Sequence, residues 1–191
     1  MKSLRLIVQP IVVAVALALV VRGFVHLYTI PSASMTPALA PGDHIVVTPY
    51  ARDAHPDRGD VIVFHRGDTV LVKRVIATQG ELIEARLGRV IISGHALAEP
   101  YLAEQGVSGT FDAQIVPHDC YFVMGDNRAS SLDSRSWGVL PHYAIIGRAR
   151  MVLWSSKWGG GAVAGASESE KSRQDAAAPG SAALRLFRPI R

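Results

Sequence analysis

Residues 60–77, DVIVFHRGDTVLVKRVIA, decide the fold class. Two runs rich in β-branched and aromatic residues, DVIVFH and TVLVKRVIA, flank Arg66-Gly67-Asp68, a turn signal. In a strand, Leu71, Lys73 and Val75 point to one face and Val72, Arg74 and Ile76 to the other. The same grammar continues outward in HIVV before Thr48-Pro49, in RVIIS and in CYFVMG. Pro41-Gly42-Asp43, Arg58-Gly59-Asp60 and Gly125-Asp126-Asn127 mark further turns. No repeat and no long helical period occurs between 23 and 156, so this stretch predicts one mainly β, antiparallel domain. Within it, 79–118 is more polar and broken by Gly and Pro, which predicts an insert or β-ribbon.

The flanks differ in kind. Residues 6–21 read LIVQPIVVAVALALVV, an apolar run of about 24 Å as a helix, slightly short of the roughly 30 Å hydrocarbon core. Leu4 extends the run at one end, and Arg22 snorkels at the other. The small-x-small triplet Ala16-Leu17-Ala18 lies inside the run rather than beyond it, which favours an uncleaved anchor over 6–22 against a removed signal peptide. Lys2 and Arg5 precede the span, so the positive-inside rule leaves 1–5 in the cytoplasm and the β domain outside. From 157 to 191 the chain turns to low complexity, GGGAVAGASESE and onward, and predicts a flexible tail ending LRLFRPIR.

The 191 residues carry 20 Lys+Arg and 16 Asp+Glu, a net charge of +4. Residues 1–22 and 157–191 each contribute +3, which leaves −2 on the middle. A folded domain of that sign is a poor phosphate-tracking surface, so a lipid bilayer rather than nucleic acid accounts for the basic ends. A single cysteine, Cys120, excludes an intramolecular disulfide and reads as a packed thiol. His44, His55, His65, His95 and His142 show no metal-ligand spacing along the chain, and no metal or cofactor is expected. Trp137, Trp154 and Trp158 suit packing or a bilayer interface equally well.

Three segments carry chemistry. The first, Ile30-Pro31-Ser32-Ala33-Ser34-Met35-Thr36-Pro37, places two serines just beyond the apolar span; taken alone, it is also an ordinary juxtamembrane linker. In the second, Lys73 has aliphatic neighbours along its own strand face. Burial disfavours an ammonium, and a neutral amine is a competent general base. The commoner reading of such a lysine is a guard on an edge strand. The third, Gly125 to Gly138, is a polar, turn-rich loop after an apolar strand, stocked with the Asn, Asp, Ser and Arg needed to brace itself.

Together these segments resemble the type I signal peptidases, membrane-bound serine proteases with a Ser/Lys dyad. The resemblance rests on PSASM at 31–35, RGDVIVF at 58–64, VKR at 72–74 and GDNRASSLDSRSWG at 125–138, and covers about 1–154. It departs at Ala33, where the family often has glycine, and at IATQGE after Val75. The resemblance implies a barrel-like antiparallel β catalytic fold behind one transmembrane helix. It implies Ser34 as nucleophile and Lys73 as general base, with the Ser32 hydroxyl and the Ser34 backbone N–H as oxyanion hole. Ser131 would orient the lysine, and Asp133 and Arg135 would form a supporting pair. Ile30, Pro31, Met35, Leu71 and Val72 would line shallow pockets for small side chains.

A carboxylate bound to Lys73 would favour its charged form, so Asp126 and Asp133 are expected to be turned away or neutralised by Arg128 and Arg135. The implied substrates are signal-peptide-bearing precursors, met at the outer face of the plasma membrane and bound as an added strand. Two rivals stand beside this reading: a Ser/Lys peptidase for a single pilus or conjugation client, and a silent membrane-anchored β module that binds partners.

Overall fold

The structure is a computed structural model that describes residues 10–15, 25–104, 108–155 and 188–190. Twelve strands are placed in it: β1 (His26–Thr29), β2 (His44–Thr48), β3 (Val61–Arg66), β4 (Thr69–Ala77), β5 (Leu82–Arg86), β6 (Arg89–Ile92), β7 (His95–Ala96), β8 (Phe111–Ile115), β9 (Cys120–Met124), β10 (Leu140–Pro141), β11 (Ile145–Trp154) and β12 (Arg188–Pro189). Helical pieces within the β region are short: 3-10 turns at Ala33–Met35, Arg128–Ser130 and His142–Ala144, and one α turn at Ser134–Trp137. The mainly β, antiparallel architecture expected from the alternating runs is the one observed.

The larger sheet runs β1-β2-β11-β3-β4-β9-β10, with β12 also on β11. The decisive stretch 60–77 is its hairpin: Val61 pairs with Arg74, Ile62 with Lys73 and so on to Arg66 with Thr69. Gly67 turns the corner at φ +58, a left-handed backbone that costs glycine little. Central in the sheet is β11, ten residues long, which pairs with β2 on one side and β3 on the other. A smaller sheet, β7-β6-β5-β8, is built entirely from residues 82–115, the region read as an insert.

Alternation along β4, broken by an irregularity between Val75 and Ala77, sorts its side chains into different cores. Val70 and Val72 pack against the cluster of Ile30, Met35, Leu39, Ile45, Val47, Val61, Val63, Ala149 and Val152. Leu71 and Val75 join Ile62, Phe64, Tyr121, Val123 and Leu140. Ile76 and Ala77 join Ile83, Val90 and Ile92 of the smaller sheet to Phe122 and Met124 of the larger one, which binds the sheets together. Each fully buried aliphatic or aromatic side chain here is worth roughly 1.5–3 kcal/mol of transfer free energy.

Most of the expected anchor 6–22 lies outside the described residues. Residues 10–15 are helical and exposed, and among the described residues no helix is long and apolar enough to cross a membrane. Most of the 157–191 tail also lies outside them, as does Trp158. Near its end, β12 pairs with Met151 and Val152, and Ile190 packs against the first core cluster.

Candidate active site

Ser34 sits in the 3-10 turn Ala33–Met35, which interrupts the connection between β1 and β2. The connection is closed by Ile30 N–H donating to Asp43 O at 2.8 Å and Gly42 N–H to Ile30 O at 2.8 Å. Burial of Met35 and Leu39 beneath the turn pins it to the first core cluster. The loop 125–138 holds it from the other side: Asn127 N–H donates to Ser34 O at 3.0 Å, and Asn127 Nδ2 to Ala33 O at 3.3 Å.

Lys73 enters from the middle of β4 and donates from Nζ to Ser34 Oγ at 2.7 Å. Lys73 is 3% exposed and Ser34 9%. Ser32 Oγ, in an exposed residue, lies 3.2 Å from Ser34 Oγ. Burial pushes the Lys73 amine below the ordinary lysine range; the charges of Asp133 and Asp126 oppose this, and that of Arg135 assists it. Among the described residues no carboxylate forms an ion pair with Lys73.

Both nearby carboxylates are engaged elsewhere. Asp133 caps the α turn at Ser134–Trp137, accepts from Gly125 N–H at 3.0 Å and takes two bonds of 2.8 Å from Arg135 Nε and Nη2. Burial acts to raise its carboxyl, but the Arg135 and Gly125 hydrogen bonds win and hold it below the usual carboxylate range. Arg135 Nη2 also reaches Arg128 O at 2.8 Å, so the Asp133–Arg135 pair is tied to the loop backbone. For Asp126 the expected partner is corrected. It is held by Arg74 through bonds of 2.8 and 2.7 Å, while Arg128 turns to Glu99, to Ser108 and to Gly125 O. Arg74 further donates to Gly59 O at 2.8 Å and lies 4.2 Å from the Tyr101 ring centroid. Sequence reading passed over Arg74, Glu99 and Tyr101; the signal available was the Val-Lys-Arg triplet itself, with a second cation beside the first.

Ser131 Oγ is buried and forms no bond to the lysine amine. It is nevertheless close by. A methyl group on Gly125 would stand 2.2 Å from Ser131 Oγ and 2.5 Å from Ser34 O, so glycine alone permits this approach of loop and turn. Of the expected pocket residues, Ile30, Met35 and Val72 share one apolar cluster, Leu71 belongs to another, and Pro31 is exposed. Trp137 packs 6.1 Å from the Phe64 ring, whereas Trp154 is 60% exposed. The fold also gathers His55, Asp119 and His142, which spacing along the chain does not connect.

Ser34 and Lys73 thus form a buried hydroxyl–amine pair, beside a loop whose Asp126 is held by Arg74 of β4 and whose Asp133 is held by Arg135. The sequence profile described as signal peptidase, peptidase S26, matches residues 4–154. The chain belongs to this family. Among its relatives, the signal peptidase I of Leptolyngbya laminosa is 37% identical over 77% of this chain and 78% of its own. A probable signal peptidase I-1 from a Synechocystis species is 40% identical over 78% of this chain and 82% of its own. The crystal structure of a signal peptidase I from Enterococcus faecalis V583 aligns with a TM-score of 0.46 at 32% identity, covering 50% of this chain and 97% of that one. This signal peptidase is a serine endopeptidase, and the reading of a silent binding module is set aside.

Proposed function

We propose that this peptidase removes N-terminal signal peptides from exported precursor proteins at the outer face of the plasma membrane, held there by an anchor over 6–22. Ser34 is the nucleophile and Lys73 its general base. The observation that carries the reading is the 2.7 Å contact between Lys73 Nζ and Ser34 Oγ, both residues being buried. A serine hydroxyl is a weak nucleophile until a base takes its proton, and a lysine serves only when neutral. Burial of Lys73 without a carboxylate partner favours the neutral amine.

In the proposed reaction the neutral amine accepts the Ser34 proton while Oγ attacks the scissile carbonyl. The Ser34 N–H and the Ser32 hydroxyl donate to the developing oxyanion, each donor being worth about 3–4 kcal/mol. The Lys73 ammonium then protonates the departing amine. The amine, neutral again, activates the water that hydrolyses the ester on Ser34. Ile30, Met35 and Val72, which share one cluster, shape the floor on which the small residues of the precursor lie. Asp133 and Arg135 set the loop, and Ser131 orients the amine.

The test uses the full chain in detergent micelles with several unrelated precursors. Ser34→Ala and Lys73→Ala are each expected to lower cleavage by at least about 10³-fold with the melting transition retained. Full processing by either variant overturns the dyad, and cleavage of one precursor alone establishes a single-client peptidase.

A further inference from the structure

Away from the dyad, three loops bring a second set of chemistry-bearing side chains together. His55 precedes β3, Asp119 sits in the turn ahead of β9, and His142 opens the 3-10 turn after β10. One ring nitrogen from each histidine and one carboxylate oxygen from Asp119 all lie within 4.8 Å of one another. Ligands bonded at about 2.1 Å in a tetrahedral site stand about 3.4 Å apart, so binding draws the three groups together by no more than about 1.4 Å.

The arrangement is supported from beneath. The Tyr121 hydroxyl lies 3.1 Å from His55 Nδ1 and 3.2 Å from His142 Nδ1, so one fixed oxygen positions both rings. Tyr121 is 3% exposed, anchored on β9 opposite Leu140. Asp119 is tied to the same unit: His142 N–H donates to its carbonyl at 2.9 Å, and its own N–H donates to Gln79 Oε1 at 2.9 Å. With the Nε2 atoms as ligands, these Nδ1 contacts are the second-nitrogen hydrogen bonds that orient metal-ligating imidazoles.

We propose that His55, Asp119 and His142 bind one transition cation of the Zn²⁺ class. Two imidazole nitrogens and one carboxylate suit zinc, whereas Mg²⁺ and Ca²⁺ ask for oxygen donors throughout. The cation clips the loop ahead of β3 to the end of the β4–β9 ladder opposite the one that carries Lys73. It therefore stabilises the fold without entering the peptidase reaction.

The experiment titrates the chelator-stripped full chain, in micelles and without an affinity tag, with ZnCl₂ by calorimetry and follows its melting. One equivalent is taken up, and at a zinc concentration 100 times Kd the folded state gains about 100-fold over the unfolded. His55→Gln and Asp119→Asn, both at exposed positions, melt like the parent without zinc, bind zinc at least tenfold more weakly and lose most of the zinc-induced rise. Absence of uptake by the parent, uptake unchanged in both variants, or an equal response to MgCl₂ overturns the site.

Discussion

Lys73 and Arg74 are adjacent on β4 and almost equally buried, at 3% and 1% exposure, yet their surroundings are opposite. Arg74 faces the Asp126 carboxylate through two hydrogen bonds, a third acceptor at Gly59 O and the face of Tyr101. Lys73 meets a hydroxyl. The first setting keeps a cation charged, and the second discourages charge. Alternation places the two side chains on opposite faces of the strand, so one segment serves as both a structural tie and a candidate base. Two buried cations next to each other thus teach that burial alone does not decide a role; the partner does.

The largest effect that would break this contrast is on stability. Arg74→Met leaves Asp126 buried without its counter-ion and is expected to cost about 3–5 kcal/mol in urea unfolding. Lys73→Met has the opposite sign or nearly none. A lysine whose amine is depressed in the folded state binds fewer protons there than in the unfolded chain. Its burial therefore destabilises the fold below its folded value, and the penalty fades as pH rises through the ordinary lysine range. Methionine removes that penalty at pH 7, so the variant should unfold within about 1 kcal/mol of the parent or above it. Equal losses in both variants would erase the distinction.

A smaller effect tests the contact between loop and turn. Gly125→Ala drives a methyl group into Ser131 and the Ser34 carbonyl. It should cost about 1–3 kcal/mol and, by displacing Ser34, about 10²-fold in kcat/KM.

The smallest effect sharpens the electrostatics. Arg135 helps to keep the Lys73 amine low, so Arg135→Gln should move the rising limb of the kcat/KM–pH profile to higher pH. The same variant should weaken acid resistance. Asp133, held low, contributes stability that is present above the unfolded carboxylate range and lost as pH falls through its folded value. A limb that stays in place would detach Arg135 from the dyad.

Much of this was legible in the linear text because it is local. HIVV, DVIVFH, TVLVKRVIA, RVIIS and CYFVMG fall on β2, β3, β4, β6 and β9, where alternation and β-branching act residue by residue. The central strand β11 escaped notice: in IIGRARMVLW the apolar pattern is broken by Gly147, Arg148 and Arg150, and its stability comes from neighbours on both sides. Gly147 is needed there because a methyl group would stand 2.4 Å from Thr48 O. Similarly, the three candidate segments could be read from residue type and spacing, but not which guanidinium meets which carboxylate. Arg128 is nearer to Asp126 in sequence, yet Arg74 reaches it, because β4 and β9 pair with Arg74 opposite Met124 and bring it alongside.

What the amino-acid order determined by itself is periodicity, turn placement and the inventory of hydroxyl, amine and acid groups, since these depend on each residue and its immediate neighbours. Only the tertiary structure decided that the amine of Lys73 touches Ser34, that Asp126 belongs to Arg74 and that His55, Asp119 and His142 share a corner. Those outcomes depend on strand register and on the exclusion of water, which arise when distant segments pack, and no single stretch of chain carries them.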